Sequence, residues 1–304
     1  MELRDADLAV RTRGLTKNFG KRTVVDGLDL AIPRGSVYGF LGPNGSGKST
    51  TMKMLLGLLH PSAGQISLLG EDPWGEARAR LMPRIGSMIE HPPGYGHLTG
   101  AENMRLLARL LNLETTRIDR ALELVRLTDH RDRLQRTYSL GMKQRLGMAM
   151  ALAREPELLI LDEPTNGLDP AGIEEIRELM IHLASGGVTV MISSHILAEI
   201  DRMADILGVL SQGRLVFQGS RKELFERSIP DLIVVTPQAN AAANLVRGCR
   251  LERNGIRVQG CGQEDAARLI VRLVQAGIPI HEVRRLQQSL EEVFMDLTGG
   301  AEAL

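Results

Sequence analysis

The stretch Gly42-Pro43-Asn44-Gly45-Ser46-Gly47-Lys48-Ser49-Thr50 limits what this chain can fold into more than any other. It satisfies the G-x-x-x-x-G-K-[ST] spacing without a mismatch. Glycines at these places let the backbone curl until successive N–H groups face phosphate oxygens. In such a loop Lys48 brings positive charge to the β- and γ-phosphates, and the Ser49 hydroxyl is a ligand for Mg2+. The flanks agree: Ser36 to Leu41 reads as a buried strand, and Thr50 to Leu56 as a helix whose N-terminus favours an anion. Strand, glycine loop and helix in that order predict a nucleotide-binding α/β core.

With 304 residues there is room for one large α/β domain and a small one. Lys plus Arg and Asp plus Glu stand at 37 each, so no basic field points to nucleic acid, and no nucleic-acid partner is expected. The longest apolar run is six residues, Met148 to Ala153, far below a membrane span. The opening Met1-Glu2-Leu3-Arg4-Asp5 has no signal-peptide core. Cys249 and Cys261 suggest neither a zinc site nor a disulfide framework and read as ordinary thiols in a reducing compartment.

Before the loop, Leu8 to Arg13 and Val24 to Ile32 alternate and break at glycines, as antiparallel strands do. Phe19, just ahead of Gly20, is either an aromatic face for an adenine base or a hairpin-packing side chain. Beyond the loop, Arg84 to Ile89 ends a strand, and a Pro/Gly-rich segment follows to Gly96. Glu90, at that junction, is either near a metal-bound water or a solvated loop acid. Thr99 and Glu102 form a capping box, with Leu106, Leu107, Leu110 and Leu111 continuing one apolar face. A second helix is expected over Ile118 to Leu127. Ser139 N-caps a third, beginning Leu140-Gly141-Met142, so its hydroxyl and the free N–H groups make an anion site.

Leu158-Leu159-Ile160-Leu161-Asp162-Glu163 is the second strong signal: an apolar strand ending in two acids that need a cation partner. Strand alternation sends the two side chains opposite ways, so Asp162 is assigned to the Mg2+ shell and Glu163 to the attacking water. Asp169 then caps a helix opened by Pro170. Val188 to Ser193 is another buried strand with His195 at its end, a placement that favours a γ-phosphate contact. Ile206 to Leu210 and Leu215 to Gln218 close the unit as a hairpin around Gln212-Gly213.

The boundary falls within Arg221 to Pro230, giving a nucleotide-binding domain at 1–225, with a helical part at about 84–150, and an accessory domain at 226–304. In the accessory part, a β-α-β-β-α-β order, with a hairpin at Asn254-Gly255, suggests a ferredoxin-like α+β layer. A last helix is capped by Ser289 and Glu292.

Taken together, the motifs from Leu8 to Gly219 resemble the ATP-binding subunit of an ABC transporter. Gly42 to Ser49 matches the Walker A loop of that family, Leu158 to Asp162 its Walker B strand, and Glu163 the catalytic glutamate. Tyr138 to Arg145 matches the signature motif, Asn166 to Asp169 the D-loop, His195 the switch histidine and Phe19 the adenine-stacking aromatic. The resemblance implies a P-loop NTPase core with an antiparallel β subdomain and a helical subdomain. Two departures stand out. The signature reads Tyr138-Ser139-Leu140-Gly141-Met142, keeping the hydroxyl and the close-approach glycine but losing a side-chain amide. Glu90 stands where most relatives carry glutamine, adding negative charge beside the triphosphate, and altered Mg2+ dependence is expected. Glu90 with His91 to Thr99 is similar to the bacitracin and lantibiotic-immunity branch, and the tail to drug-export ATPases.

The resemblance also implies ATP and Mg2+ as ligands, a separate membrane permease as partner, and a cytoplasmic position at the inner face of the cell membrane. It implies a head-to-tail homodimer in which Ser139 and Gly141 of one copy cover the γ-phosphate held by Lys48 of the other. A soluble ABC-type ATPase without a transport role, and an ATP-binding regulatory subunit with little hydrolysis, are the alternatives.

Overall fold

The computed structural model describes residues 4–227, 229–246, 248–286 and 290–298. The chain divides into a unit running to Arg221 and a second beginning at Lys222. The first begins with β1 (Leu8–Phe19), β2 (Arg22–Leu28) and β3 (Ala31–Pro33). β1 is one bulged strand of 12 residues, longer than alternation over Leu8 to Arg13 suggests. Its register shifts at Gly14, where φ is +59°, let it pair with β2, β3 and β5 (Ala63–Leu68) in turn. Phe19 is therefore the last residue of a strand and sits opposite Arg22.

β4 (Val37–Leu41) leads into the loop and α1 (Lys48–Leu55). It is fully buried because parallel neighbours flank it on both sides. A short α2 (Arg78–Leu81) precedes β6 (Ile85–Met88), then come α3 (Gly100–Leu111), α4 (Thr115–Leu124) and α5 (Leu140–Leu152). β7 (Leu158–Asp162), α6 (Pro170–Ser185), β8 (Thr189–Ser194), α7 (Leu197–Asp201), β9 (Ile206–Ser211) and β10 (Arg214–Ser220) complete the unit, followed by α8 (Arg221–Arg227). The central sheet runs β10-β9-β4-β8-β7-β6, parallel apart from the β9–β10 hairpin. That hairpin turns at Gln212 and Gly213, both at positive φ, as its two-residue loop requires. Met52 and Leu55 of α1 are fully buried in one core with Tyr38, Phe40, Leu158 and Ile160, and with Val10 and Leu15 of the antiparallel sheet. At roughly 1.5–3 kcal/mol for each large apolar side chain, this burial holds the loop between two packed layers.

The α3 capping box forms as the sequence indicates: Thr99 Oγ1 accepts from Glu102 N at 3.1 Å, and Thr99 N donates to Glu102 at 2.7 Å. Its apolar face is a correction. Leu106 and Leu110 are exposed, and the helix instead buries Ala101, Asn103 and Met104. The Asn103 amide, 2% exposed, accepts from Tyr95 N and donates to the Tyr95 and Thr99 carbonyls, fixing the Pro/Gly-rich segment against α3. α4 also begins earlier than Ile118, at Thr115.

The second unit carries β11 (Asp231–Val235), α9 (Ala239–Leu245), β12 (Arg250–Glu252), β13 (Gly255–Val258), α10 (Gln263–Gln275), β14 (Glu282–Leu286) and α11 (Leu290–Thr298). Its antiparallel sheet runs β12-β13-β11-β14, the ferredoxin-like arrangement. Leu232, Val234, Ile256, Ala266 and Leu273 form a core of its own. Glu252 pairs with Gly255, so the hairpin loop is Arg253-Asn254, one residue earlier than the Asn-Gly signal suggests. Ser289, the expected cap of α11, lies outside the described residues.

Candidate nucleotide site

The phosphate loop leaves β4 at Gly42 and enters α1 at Lys48. A Cβ on Gly42 would lie 2.4 Å from the Leu210 carbonyl oxygen, so only glycine fits against the end of β9. Gly47 has φ +108°, and a Cβ there would lie 2.8 Å from the Val24 carbonyl oxygen. Ser46 Oγ is buried inside the loop and has no hydrogen-bond partner. Pro43, Asn44, Gly45, Ser49 and Thr50 complete the loop, and Asn44 and Gly45 are exposed at its crest.

Lys48 is 5% exposed and folds back on its own loop, donating to the Gly42 carbonyl at 2.8 Å and the Pro43 carbonyl at 3.3 Å. Its Nζ lies 3.6 Å from Glu163 Oε1. Burial holds its pKa below the usual lysine range, opposed by the charges of Glu163 and Asp162. A lysine spending its donors on weak carbonyl partners is poised to exchange them for phosphate oxygens, which satisfy both its charge and its hydrogen bonds.

Glu163 corrects the alternation reasoning. β7 ends at Asp162, and Glu163 lies beyond it with φ +48°, in the left-handed region that costs a non-glycine residue about 1 kcal/mol or more. That turn points its carboxylate at Lys48 and at His195, whose Nδ1 is 2.7 Å from Oε2. Both acids therefore act on the same lysine. The residue that holds this arrangement is Ser193, fully buried on β8 directly opposite Asp162. Its hydroxyl donates to Asp162 Oδ1 at 2.6 Å and accepts from Glu163 N at 2.9 Å. From the sequence Ser193 reads only as the last residue of a buried strand. Its signal is a hydroxyl in an otherwise apolar strand that must lie beside the acidic strand end.

Two further links were not foreseen. Glu199 Oε2 accepts from Thr165 Oγ1 at 2.6 Å and from Ser194 Oγ at 3.2 Å, tying the turn after Glu163 to the end of β8. Glu90, at φ +67°, is paired with Lys53 of α1. The Lys53 ammonium holds the Glu90 carboxyl below its ordinary range.

Ser139, Gly141 and Asp169 gather elsewhere, around a cleft of about 260 Å3 that none of the phosphate-loop residues lines. Ser139 caps α5 by accepting from Met142 N at 3.2 Å, and Asp169 caps α6 by accepting from Gly172 N at 3.1 Å. Phe19 is half exposed at the end of β1, with Lys17 Nζ 5.2 Å from its ring centre. The structure thus brings Lys48, Asp162, Glu163 and His195 together and leaves Ser139, Gly141 and Asp169 as a second group.

Mg2+ is bound in nucleotide sites by one or two carboxylates, hydroxyls and substrate phosphates rather than by an all-protein cage. The residues present fit that pattern. Among the described residues no group of three His, Cys, Asp or Glu could hold a metal alone, while Asp162 stands oriented by Ser193 beside the start of α1.

A strand-loop-helix phosphate cradle facing an acidic strand end makes this unit a P-loop NTPase. The ABC transporter family model matches residues 25–166. The bacitracin transport ATP-binding protein BcrA of Enterococcus faecalis is 38% identical over 302 residues, 97% of each chain. The lantibiotic transport ATP-binding protein SrtF of Streptococcus pyogenes is 43% identical over 226 residues, 72% of this chain and 97% of its own. The daunorubicin resistance ATP-binding protein DrrA3 of Streptomyces coeruleorubidus is 38% identical over 307 residues, 97% of each. Among solved structures, an ATP-binding subunit of an ABC transporter superposes with a TM-score of 0.66 at 30% identity, covering 72% of this chain and 92% of that one. The chain belongs to the ATP-binding proteins of the ABC transporter family, whose ATP hydrolysis is coupled to transport.

Proposed function

We propose that this chain energises export of an antimicrobial peptide or drug by a separate membrane permease, working as one of two identical copies that close head to tail around MgATP. The names of the relatives, bacitracin, lantibiotic and daunorubicin ATP-binding proteins, support the export role. Among the described residues no helix is long and apolar enough to cross a membrane, so the transport path is assigned to the permease. Attachment to that permease puts the chain at the inner face of the cell membrane.

The observation that carries the reading is Glu163 standing between Lys48 and His195 at the mouth of the phosphate loop. On ATP binding, Lys48 exchanges the Gly42 and Pro43 carbonyls for phosphate oxygens. Freed from the lysine, Glu163 orients and polarises the attacking water, and the His195 ring steadies the γ-phosphate. The Asp162 and Ser49 side chains would hold Mg2+, which neutralises charge on the phosphates. Phe19 stacks on the base. Ser139 and Gly141 lie in a different cleft from Lys48. They serve the nucleotide of the opposite copy, so one chain completes no site. Hydrolysis reopens the pair, and the α3–α5 segment passes the motion to the permease.

The test is a pull-down from solubilised membranes with tagged Glu163→Gln chain and ATP. Co-purification of a polytopic membrane protein and a stable ATP-bound dimer is expected. Recovery of soluble partners alone overturns the transport reading, and rapid ATP turnover by the variant removes Glu163 from its role.

A further inference from the structure

Glu90 follows β6 at the sheet edge where Glu163 follows β7, because Met88 pairs with Leu161, so its negative charge lies on the side of the phosphate loop, and its own backbone is held at φ +67°. A non-glycine residue keeps such a conformation only where its surroundings over-determine it. The carboxylate that this turn presents is ion-paired with the Lys53 ammonium. Lys53 sits on α1 four residues beyond Ser49, which places the two side chains on the same helix face one turn apart. The ion pair therefore ties the carboxylate to the helix that opens with Lys48 and Ser49.

An exposed ion pair contributes little to stability, and the Glu90 side chain is 59% exposed. The pairing is better explained by what the unpaired carboxylate would do. The negative charge of a bound triphosphate would repel it, and repulsion between charges persists over distances within the screening length of about 8–10 Å.

We propose that Lys53 is a positioning residue for nucleotide binding: it neutralises Glu90 and holds the carboxylate along α1, so that a glutamate can occupy this position without opposing MgATP. This rests on the nucleotide-binding role proposed above. It also replaces the expectation that Glu90 by itself alters Mg2+ dependence, because the charge is already balanced by a partner on the loop's own helix. Lys53 is one-third exposed, so its replacement leaves the buried face of α1, with Met52 and Leu55, intact.

The experiment is a double-variant cycle on the full chain, measuring MgATP affinity and the Mg2+ concentration for half-maximal turnover. Lys53→Met is expected to weaken MgATP binding about tenfold, as repulsion from one carboxylate no longer neutralised would at intermediate screening, and to raise the Mg2+ requirement. Glu90→Gln alone stays within about threefold of wild type, and Lys53→Met combined with Glu90→Gln returns to that range, because with no carboxylate there is nothing to neutralise. Lys53→Arg retains the charge and binding. A combined variant as weak as Lys53→Met alone refutes the proposal, as does an unaffected Lys53→Met. Should Lys53→Met fail to fold, the exchange Lys53→Glu with Glu90→Lys must restore binding lost in Lys53→Glu alone, and failure to do so refutes it equally. No MgATP binding by wild type would sink the nucleotide role and this inference with it, whereas wild-type binding with an additive cycle sinks the inference alone.

Discussion

Ser193→Ala removes a single oxygen and tests whether the acidic strand end is organised from the neighbouring strand. In the folded chain that oxygen donates to a buried carboxylate, Asp162, at 2.6 Å and accepts the Glu163 N–H at 2.9 Å. Ser193 is 0% exposed and Asp162 7%, so water does not freely replace what is lost. A hydrogen bond to a charged group contributes about 1.5–3 kcal/mol, and stranding a buried donor costs about 1–3 kcal/mol. Allowing for overlap between the two, the loss is about 3 kcal/mol, a large share of a stability of ~5–15 kcal/mol. For a unit of this size that lowers the melting temperature by roughly 6–12 °C. Because the same bond holds the Glu163 backbone, turnover should fall at least about tenfold as the carboxylate loses its place. The assay is thermal unfolding and steady-state ATP hydrolysis side by side, with Ser185→Ala as control. Ser185 Oγ also donates one hydrogen bond, to the His182 carbonyl at 2.7 Å, but at an exposed position, and should shift stability by less than about 0.5 kcal/mol. A Ser193→Ala melting temperature within about 2 °C of wild type, with normal turnover, would refute the reasoning.

Phe19→Ala should leave stability within about 0.5 kcal/mol, since the ring is half exposed, yet weaken ATP binding about tenfold through lost base stacking; equilibrium binding of ATP against unfolding midpoints checks both. Glu102 has its pKa lowered by the hydrogen bond from Thr99 N, so the folded chain holds fewer protons there than the unfolded one. Its contribution is complete above the ordinary value of 4.5 and is lost as pH falls below it; Glu102→Gln should flatten that part of the curve of melting temperature against pH, and an unchanged acid limb would contradict the assignment. Arg257→Met strips the guanidinium from Asp231, which is fully buried and also accepts the Gly260 N–H at 2.9 Å. A loss of about 3–5 kcal/mol is expected, seen as faster proteolysis of the second unit while ATP hydrolysis by the first persists.

What the sequence made legible, and what it did not, follows the range of the forces. The phosphate loop, the Thr99–Glu102 capping box and the Gln212-Gly213 hairpin rest on backbone demands met within a few residues, and spacing alone reveals them. Leu106 and Leu110 misled because a periodic apolar face says that something covers it, not that the chain itself does. Glu163 misled because alternation holds only while the strand continues, and the strand stops one residue earlier. Ser193 and Lys53 were invisible for another reason. Each acts on an acid 31 or 37 residues away, through strand register in one case and a loop folding back on α1 in the other.

The left-handed backbone at Glu163 sets stereochemistry against chemistry at a single position. Glycine or asparagine would relieve the torsional cost there, so a library screened only for heat resistance should enrich Glu163→Gly and Glu163→Asn. With Glu163 in the role proposed above, the survivors would be sturdier proteins that no longer turn over ATP. Any thermostabilised form of this chain intended to stay active has to be selected with Glu163 held fixed, because robustness and catalysis pull this codon in opposite directions.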